Sequence, residues 1–168
     1  NINIINGEAS FNSANQLKIQ DIQNKTIQLN FNNCIIASGS SPQIIPNLNK
    51  NHPNIITSTE ALNFTEIPKR LLIIGGGYIG LELGEVFSSF GSKVTIAEFL
   101  PSLLSMADQD LVKILTKSLR NKFENIFTST EITELIPKGK DNVIATFKND
   151  KIFKDSFNKV LICIGRKP

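Results

Sequence analysis

Tryptophan is absent from this 168-residue chain, and tyrosine, methionine and histidine occur once each. The single histidine, His52, stands before Pro53 in an Asn-rich stretch and reads as a loop residue facing solvent, not as a catalytic base. Only two cysteines are present, Cys34 and Cys163, far apart and each inside an apolar run. That placement predicts two buried, reduced thiols rather than a disulfide or a redox pair, and no metal site is expected. No apolar run approaches the roughly 20 residues of a membrane helix. Charge of one sign is also scarce: 18 basic and 15 acidic residues leave +3, scattered without a Lys/Arg run, so neither nucleic acid nor an anionic membrane is an expected partner. The opening residues have no basic segment and no cleavage site of a signal peptide. They lack an initiator Met and begin in strand-like sequence, as expected of a piece cut from a longer chain.

Against these absences, 40% hydrophobic and 20% charged residues are enough for an ordinary core. Residues 1–42 read as short strands, at 3–6, 16–20 and 26–31, the last two alternating polar and apolar as a half-exposed hairpin would. Cys34-Ile35-Ile36-Ala37 is a continuous apolar run ending at Ser38-Gly39-Ser40-Ser41-Pro42, which predicts a strand buried on both faces and then a turn. Residues 43–68, rich in Asn and Pro, read as connector with one short helix after Ser58 or Thr59.

From Arg70 the pattern changes. Leu71-Leu72-Ile73-Ile74 predicts a buried parallel strand running straight into Gly75-Gly76-Gly77-Tyr78-Ile79-Gly80. A helix to about Phe90 follows, with Ile79, Leu83, Val86, Phe87 and Phe90 as its stripe and Gly91 as its stop. Residues 93–97 form the next strand and end at Glu98. A second helix is expected over 108–122, capped by Asp108 or Ser105, with Leu111, Ile114, Leu115, Leu119 and Phe123 inward. Beyond it lie a short strand at 126–127, an antiparallel meander over 132–136, 143–147 and 151–153, and a last buried strand at 160–164. Placing Gly39 over Gly165 aligns residues 34–37 with 160–163 and Pro42 with Pro168. This internal repeat suggests the closing part of one dinucleotide-binding unit followed by nearly all of a second.

Gly75, Gly77 and Gly80 form a dinucleotide fingerprint in its proper context, after a strand and opening a helix. Gly75 permits the tight turn, Gly77 lets the backbone approach a pyrophosphate, and Gly80 allows close helix–strand packing. The helix N-terminus offers free N–H groups and a positive dipole end to phosphates. Glu98, at the end of the second strand, suits the two adenosine ribose hydroxyls and would repel a 2′-phosphate; no Lys or Arg follows until Lys113. NAD is therefore favoured over NADP. Glu82 lies one turn into the helix on the face of Tyr78 and Ile79. Spacing alone leaves it either beside the nucleotide or as an acid complementing the helix dipole.

Together these residues resemble the pyridine nucleotide–disulfide oxidoreductases, and among them the dihydrolipoamide dehydrogenases most. The matching stretches are Ala37-Ser38-Gly39-Ser40, Thr57-Ser58-Thr59-Glu60-Ala61-Leu62, the run from Pro68 through Glu82, Phe90-Gly91-Ser92-Lys93-Val94-Thr95, and Ile164-Gly165-Arg166-Lys167-Pro168. Ser38 departs from the usual Thr but keeps the hydroxyl. The resemblance implies an α/β fold: a Rossmann-like parallel sheet with an antiparallel meander, preceded by a β-rich part of a second dinucleotide-binding domain. It assigns 1–42 to the C-terminal part of an FAD-binding domain, 43–68 to a connector and 69–168 to an NAD-binding domain. It also implies that Gly75, Gly76, Gly77, Tyr78, Ile79, Gly80, Leu81 and Glu82 bind NAD, with Ile79 and Glu82 beside the nicotinamide. Glu98 would hold the ribose, Ile132 touch the adenine and Gly165 line the nicotinamide end, while Ala9, Ser38, Gly39 and Ser40 would contact FAD.

In that family electrons pass from dihydrolipoamide to a redox disulfide, to FAD and then to NAD. The chain has no FAD fingerprint, no cysteine pair four residues apart and no catalytic His-Glu pair, so no catalytic residue is assigned and the chain alone is expected to be inactive. The full-length protein would carry FAD, form a homodimer and join dihydrolipoamide-bearing multienzyme complexes, in the cytoplasm or the mitochondrial matrix. Two alternatives stand beside this reading: the nicotinamide domain of another flavoprotein disulfide reductase or NADH oxidase, and a non-catalytic NAD-binding module.

Overall fold

A computed structural model describes residues 2–48 and 51–168. Residues 49 and 50, within the expected connector, lie outside the described residues. The chain divides into two compact units, Asn1–Gly39 and Ser40–Pro168.

The first unit is a three-stranded antiparallel sheet of β1 (Gly7–Ser13), β2 (Gln16–Asp21) and β3 (Thr26–Asn30), in that order. The β2–β3 turn closes on Asp21, whose carboxylate accepts from the backbone N–H groups of Gln23 and Lys25. Two sequence expectations fail here. Residues 3–6 form no strand, and neither do 34–37, where Cys34 is exposed and Ile35 and Ile36 are 91% and 72% accessible. An apolar run of that kind becomes a buried strand only when neighbours pair with both its edges, and no described strand does so. The expected buried thiol at Cys34 is accordingly open to solvent.

The second unit contains β4 (Ser41–Pro42), β5 (Ile55–Thr57), α1 (Ser58–Ala61), β6 (Arg70–Ile74), α2 (Tyr78–Ser89), β7 (Lys93–Ala97), α3 (Gln109–Arg120), β8 (Asn125–Phe127), β9 (Glu131–Lys138), β10 (Asn142–Lys148), β11 (Ile152–Phe157), β12 (Lys159–Ile162) and β13 (Arg166–Lys167). Strands β5-β12-β6-β7-β8 form one parallel sheet, and β11-β10-β9 an antiparallel meander. The architecture is thus the expected α/β one, with a parallel sheet and a meander. The expected connector holds its expected short helix, α1, and also supplies the edge strand β5. Thr57 caps α1 in a capping box with Glu60, one residue before the expected cap.

Alternation within β6 explains its unbroken apolar sequence. Leu71 and Ile73 join the helix-side core with Val94, Ile96, Leu119 and Phe87, while Leu72 and Ile74 join the meander-side core with Val143, Phe147 and Phe157. A sheet covered on both faces needs apolar residues at every position.

The helix stripes differ from expectation. On α2 the buried face is Gly80, Leu81, Gly84 and Phe87, whereas Val86 and Phe90 are exposed. On α3 it is Val112 and Leu119, with Leu115 partly covered, while Leu111 and Ile114 face outward. Counting apolar side chains missed the glycines, which bring the α2 backbone against the sheet. A Cβ on Gly84 would stand 3.0 Å from the Phe123 ring and 3.1 Å from Ile73.

At the amino end of the sheet, Arg70 ties β6 to its neighbours. Its guanidinium donates to both oxygens of Asp155 on β11, to Glu124 before β8 and to the Ser156 carbonyl, and lies 4.9 Å from the Phe157 ring centroid. Arg70 holds the Asp155 carboxyl below its ordinary pKa. No helix among the described residues is long and apolar enough to cross a membrane.

Candidate dinucleotide site

The carboxyl end of β6 is where the sheet changes direction: the chain moves by way of α2 to β7 on one side, and β12 fills the other. A crevice opens at such a switch point because the loops on either side depart in opposite directions. Here it is a cavity of about 900 Å³.

The floor is the glycine turn. Gly75 has φ of +108° and donates to the Ala97 carbonyl at 2.9 Å; a Cβ there would lie 2.3 Å from the carbonyl oxygen of Cys163, just past the end of β12. Gly80 sits beneath the turn, where a Cβ would meet the Gly75 oxygen at 2.3 Å. Both glycines are explained by protein packing. Gly77, the N-cap of α2, is not: its φ is −79°, which any residue adopts, and a Cβ would meet nothing within 4 Å.

Glu98 follows β7 and is half-buried. Its Oε2 accepts from Gly76 N–H at 2.5 Å and its Oε1 from Leu100 N–H at 2.7 Å. Both oxygens thus already brace the turn and the loop after β7. A carboxylate offers about four acceptor positions, which leaves two free for hydroxyl donors. Leu104, at φ +44°, donates to the Gly76 carbonyl at 3.0 Å and pins the same loop a second time.

Of the residues singled out from sequence, Gly75, Gly76, Gly77, Tyr78, Ile79, Glu98, Ile132 and Gly165 line this one cavity. Gly80 packs below it, the Leu81 side chain is buried in the helix-side core, and Glu82 is exposed on α2 outside the lining. In the first unit, Ala9 lies on β1 and is exposed, as are Ser38 and Gly39. Ser40 opens the second unit, where its hydroxyl and carbonyl accept from Arg166 at 2.7 and 2.5 Å.

Several lining residues went unrecognised in the sequence. The loop from Phe99 to Ala107 forms a wall of the cavity, with Met106 99% accessible at its rim, and Arg166 reaches the opposite end. Only the Gly-Arg-Lys-Pro ending signalled Arg166; nothing in the loop composition marked the wall. Cys163 lines the cavity half-buried, and burial pushes its thiol pKa up to about 12.

The repeat reappears in an unexpected form. Gly39 and Gly165 both have positive φ, at +79° and +119°, and the residues just beyond them pair with each other as β4 and β13.

Comparison with known proteins gives the family. The dihydrolipoyl dehydrogenase of Vibrio parahaemolyticus is 36% identical over 170 residues, covering 100% of this chain and 35% of the relative. That of Geobacillus stearothermophilus is 37% identical over 169 residues, covering 99% and 35%. The chain therefore spans about a third of the length of these curated relatives. Among solved structures, the HOCl-induced flavoprotein disulfide reductase RclA from Escherichia coli matches with a TM-score of 0.78 at 27% identity, over 99% of this chain and 37% of that one. A mutant of it in a Cu(II) complex matches with a TM-score of 0.81 at 28% identity, over 100% and 37%. The family model described as pyridine nucleotide-disulphide oxidoreductase matches residues 1–168, and the chain belongs to that family of flavoprotein oxidoreductases.

Proposed function

We propose that this chain is the NAD-binding portion of a flavin-dependent dihydrolipoamide dehydrogenase, with residues 69–168 as the NAD-binding domain, 43–68 as its connector and 1–42 as the closing part of an FAD-binding domain. The observation that carries the reading is Gly77: a glycine at the mouth of a helix N-terminus, with ordinary φ and no protein atom near its missing Cβ. The space it leaves fits a pyrophosphate, and the free N–H groups of the first turn of α2 point to it with the positive end of the helix dipole.

When bound, the nicotinamide ring supplies the carbon that accepts a hydride. The chain's own residues bind and orient. The free N–H groups of the first turn of α2 hold the phosphates. The two remaining acceptor positions of Glu98 take the ribose hydroxyls, and Ile132 packs on the adenine. Ile79 and Gly165 line the nicotinamide end, with the exposed Glu82 presented on the same helix. Ala9, Ser38, Gly39 and Ser40 belong, in this reading, to the flavin side. In the full-length protein we expect FAD, a homodimer mate, dihydrolipoamide-bearing multienzyme complexes, and a cytoplasmic or mitochondrial matrix setting. The likeness to RclA supports a second reading, the nicotinamide domain of a different flavoprotein disulfide reductase.

Cofactor choice tests the assignment. NADP would forfeit hydrogen bonds to Glu98 and bring a like charge against it, a difference on the order of 2 kcal/mol. Titration calorimetry should find NAD preferred by roughly thirtyfold, with Glu98→Ala eroding the preference. Equal binding of NAD and NADP by the unaltered chain would overturn the assignment.

A further inference from the structure

On the far side of the loop after β7 lies a second hollow, of about 390 Å³, between that loop and α3. Lys113, Lys117 and Arg120 line it from α3, at a spacing that stacks them on one helix face. Ser102 from the loop, Thr116 from α3 and Thr128 after β8 add three half-buried hydroxyls, and no Asp or Glu takes part in the lining.

Asp108 and Asp110, at the opening of α3, stand outside the lining, and acids of the neighbouring elements are engaged by other cations. Glu124 is engaged by Arg70 and Lys93, Glu85 by Lys122, and Glu131 and Glu134 by Lys148 and Lys154. Among the described residues, none of the three cations at the hollow takes part in an ion pair. Three like charges brought to one concavity repel each other, and the lining supplies cationic donors with no carboxylate to receive them. A group with several anionic oxygens would satisfy both conditions, each oxygen taking a charge-assisted bond. The hollow also has more room than one phosphate group needs, which leaves space for a small organic portion.

We propose that this hollow is a binding site for a phosphate monoester of a small molecule, separate from the dinucleotide cavity. The two share the loop after β7 as a common wall: Phe99, Leu100 and Leu104 line the dinucleotide cavity, while Pro101, Ser102 and Leu103 line the hollow. The assignment does not depend on the dinucleotide reading.

The test is amide NMR on the 168-residue chain, titrated with glycerol 3-phosphate, inorganic phosphate and chloride at matched ionic strength. The expected result is saturable shifts at Ser102, Thr116, Thr128 and their neighbours with glycerol 3-phosphate. Inorganic phosphate should compete for the same resonances, and chloride should move none of them. Lys117→Glu with Arg120→Glu, surface changes that leave the rest of the spectrum intact, should weaken binding at least roughly tenfold. Gly77→Ala should leave it unchanged. Shifts confined to residues 75–78, an equal response to chloride, binding of inorganic phosphate alone, or undiminished binding in the double variant would each overturn the proposal.

Discussion

Two glycines of the fingerprint, three residues apart, should fail in opposite ways when replaced by alanine. At Gly80 the new Cβ would stand 2.3 Å from the Gly75 carbonyl oxygen, where ordinary contact begins at 3.4 Å. The neighbour is backbone, so the helix or the turn must move by about 1 Å. Overpacking of that kind costs about 1–3 kcal/mol. From the middle of that range, about 2 kcal/mol, alanine recovers up to about 1 kcal/mol through its better helix propensity, leaving a net loss of about 1–2 kcal/mol. At Gly77 the same methyl meets no protein atom, and φ is already −79°. Stability should change by no more than about 0.5 kcal/mol, since the strain is nil and the unfolded chain loses a little freedom. Dinucleotide binding should suffer instead. A methyl at the helix mouth holds the pyrophosphate beyond reach of the N–H donors. Losing one charge-assisted bond of about 1.5–3 kcal/mol weakens affinity roughly ten- to a hundredfold. Urea unfolding followed by circular dichroism measures the first effect, and NAD titration calorimetry the second. Wild-type NAD affinity in Gly77→Ala would refute the cradle argument. Wild-type stability in Gly80→Ala would refute the packing argument, whatever happens to binding.

Three further outcomes follow from features outside the turn. Arg70→Ala should cost about 1–2 kcal/mol, discounted for partial exposure of the cluster. Because Arg70 depresses the Asp155 pKa, that contribution is present above the usual Asp range and disappears as pH falls through the lowered value. The gap between the urea midpoints of wild type and variant should therefore begin to narrow below about pH 4; a gap that stays constant down to pH 2 would exclude the linkage. Thr95 is wholly buried and its hydroxyl has no hydrogen-bond partner among the described residues, so Thr95→Val should stabilise by about 1 kcal/mol, read as a higher urea midpoint. The purified chain should be colourless and should not reduce NAD with dihydrolipoamide even with FAD added, because one wall cannot fix both reactants. Turnover above a no-protein control would show that reasoning to be wrong.

The parts that could be read in the sequence are those whose cause is local. The Ile74–Gly75 junction, the strand ending at Glu98 and the meander each declare themselves by residues adjacent in the chain. What escaped depends on distant partners. Residues 34–37 have a buried strand's composition, but a strand needs edges to pair with, and those are not encoded in the four residues. Val86, Phe90, Leu111 and Ile114 looked inward by periodicity. The true faces turn on how closely Gly80 and Gly84 let α2 approach Ile73, a tertiary distance and not a pattern. Ile55 and Ile56 hid in an Asn- and Pro-rich stretch because three residues suffice for an edge strand when β12 supplies the pairing. The cavity wall from Phe99 to Ala107 has no period to detect. It is held by two backbone N–H groups, of Leu100 and Leu104, reaching back to Glu98 and Gly76.

The position of β12 bears on how the molecule is made. It lies inside the parallel sheet, with Val160 opposite both Ile55 and Leu72, yet it comes after every other strand of that sheet in the chain. While a ribosome is still producing the meander, β5 and β6 each present a bare edge where β12 will insert, and no earlier strand of this sheet lies between them. Those edges carry Ile55, Ile56, Leu72 and Ile73, the composition most prone to pair with a stranger. Closure also brings together residues about a hundred positions apart, a contact that forms slowly. The nascent chain therefore passes through an interval in which apolar strands of the finished sheet are unprotected, the condition under which folding chains are most prone to aggregate.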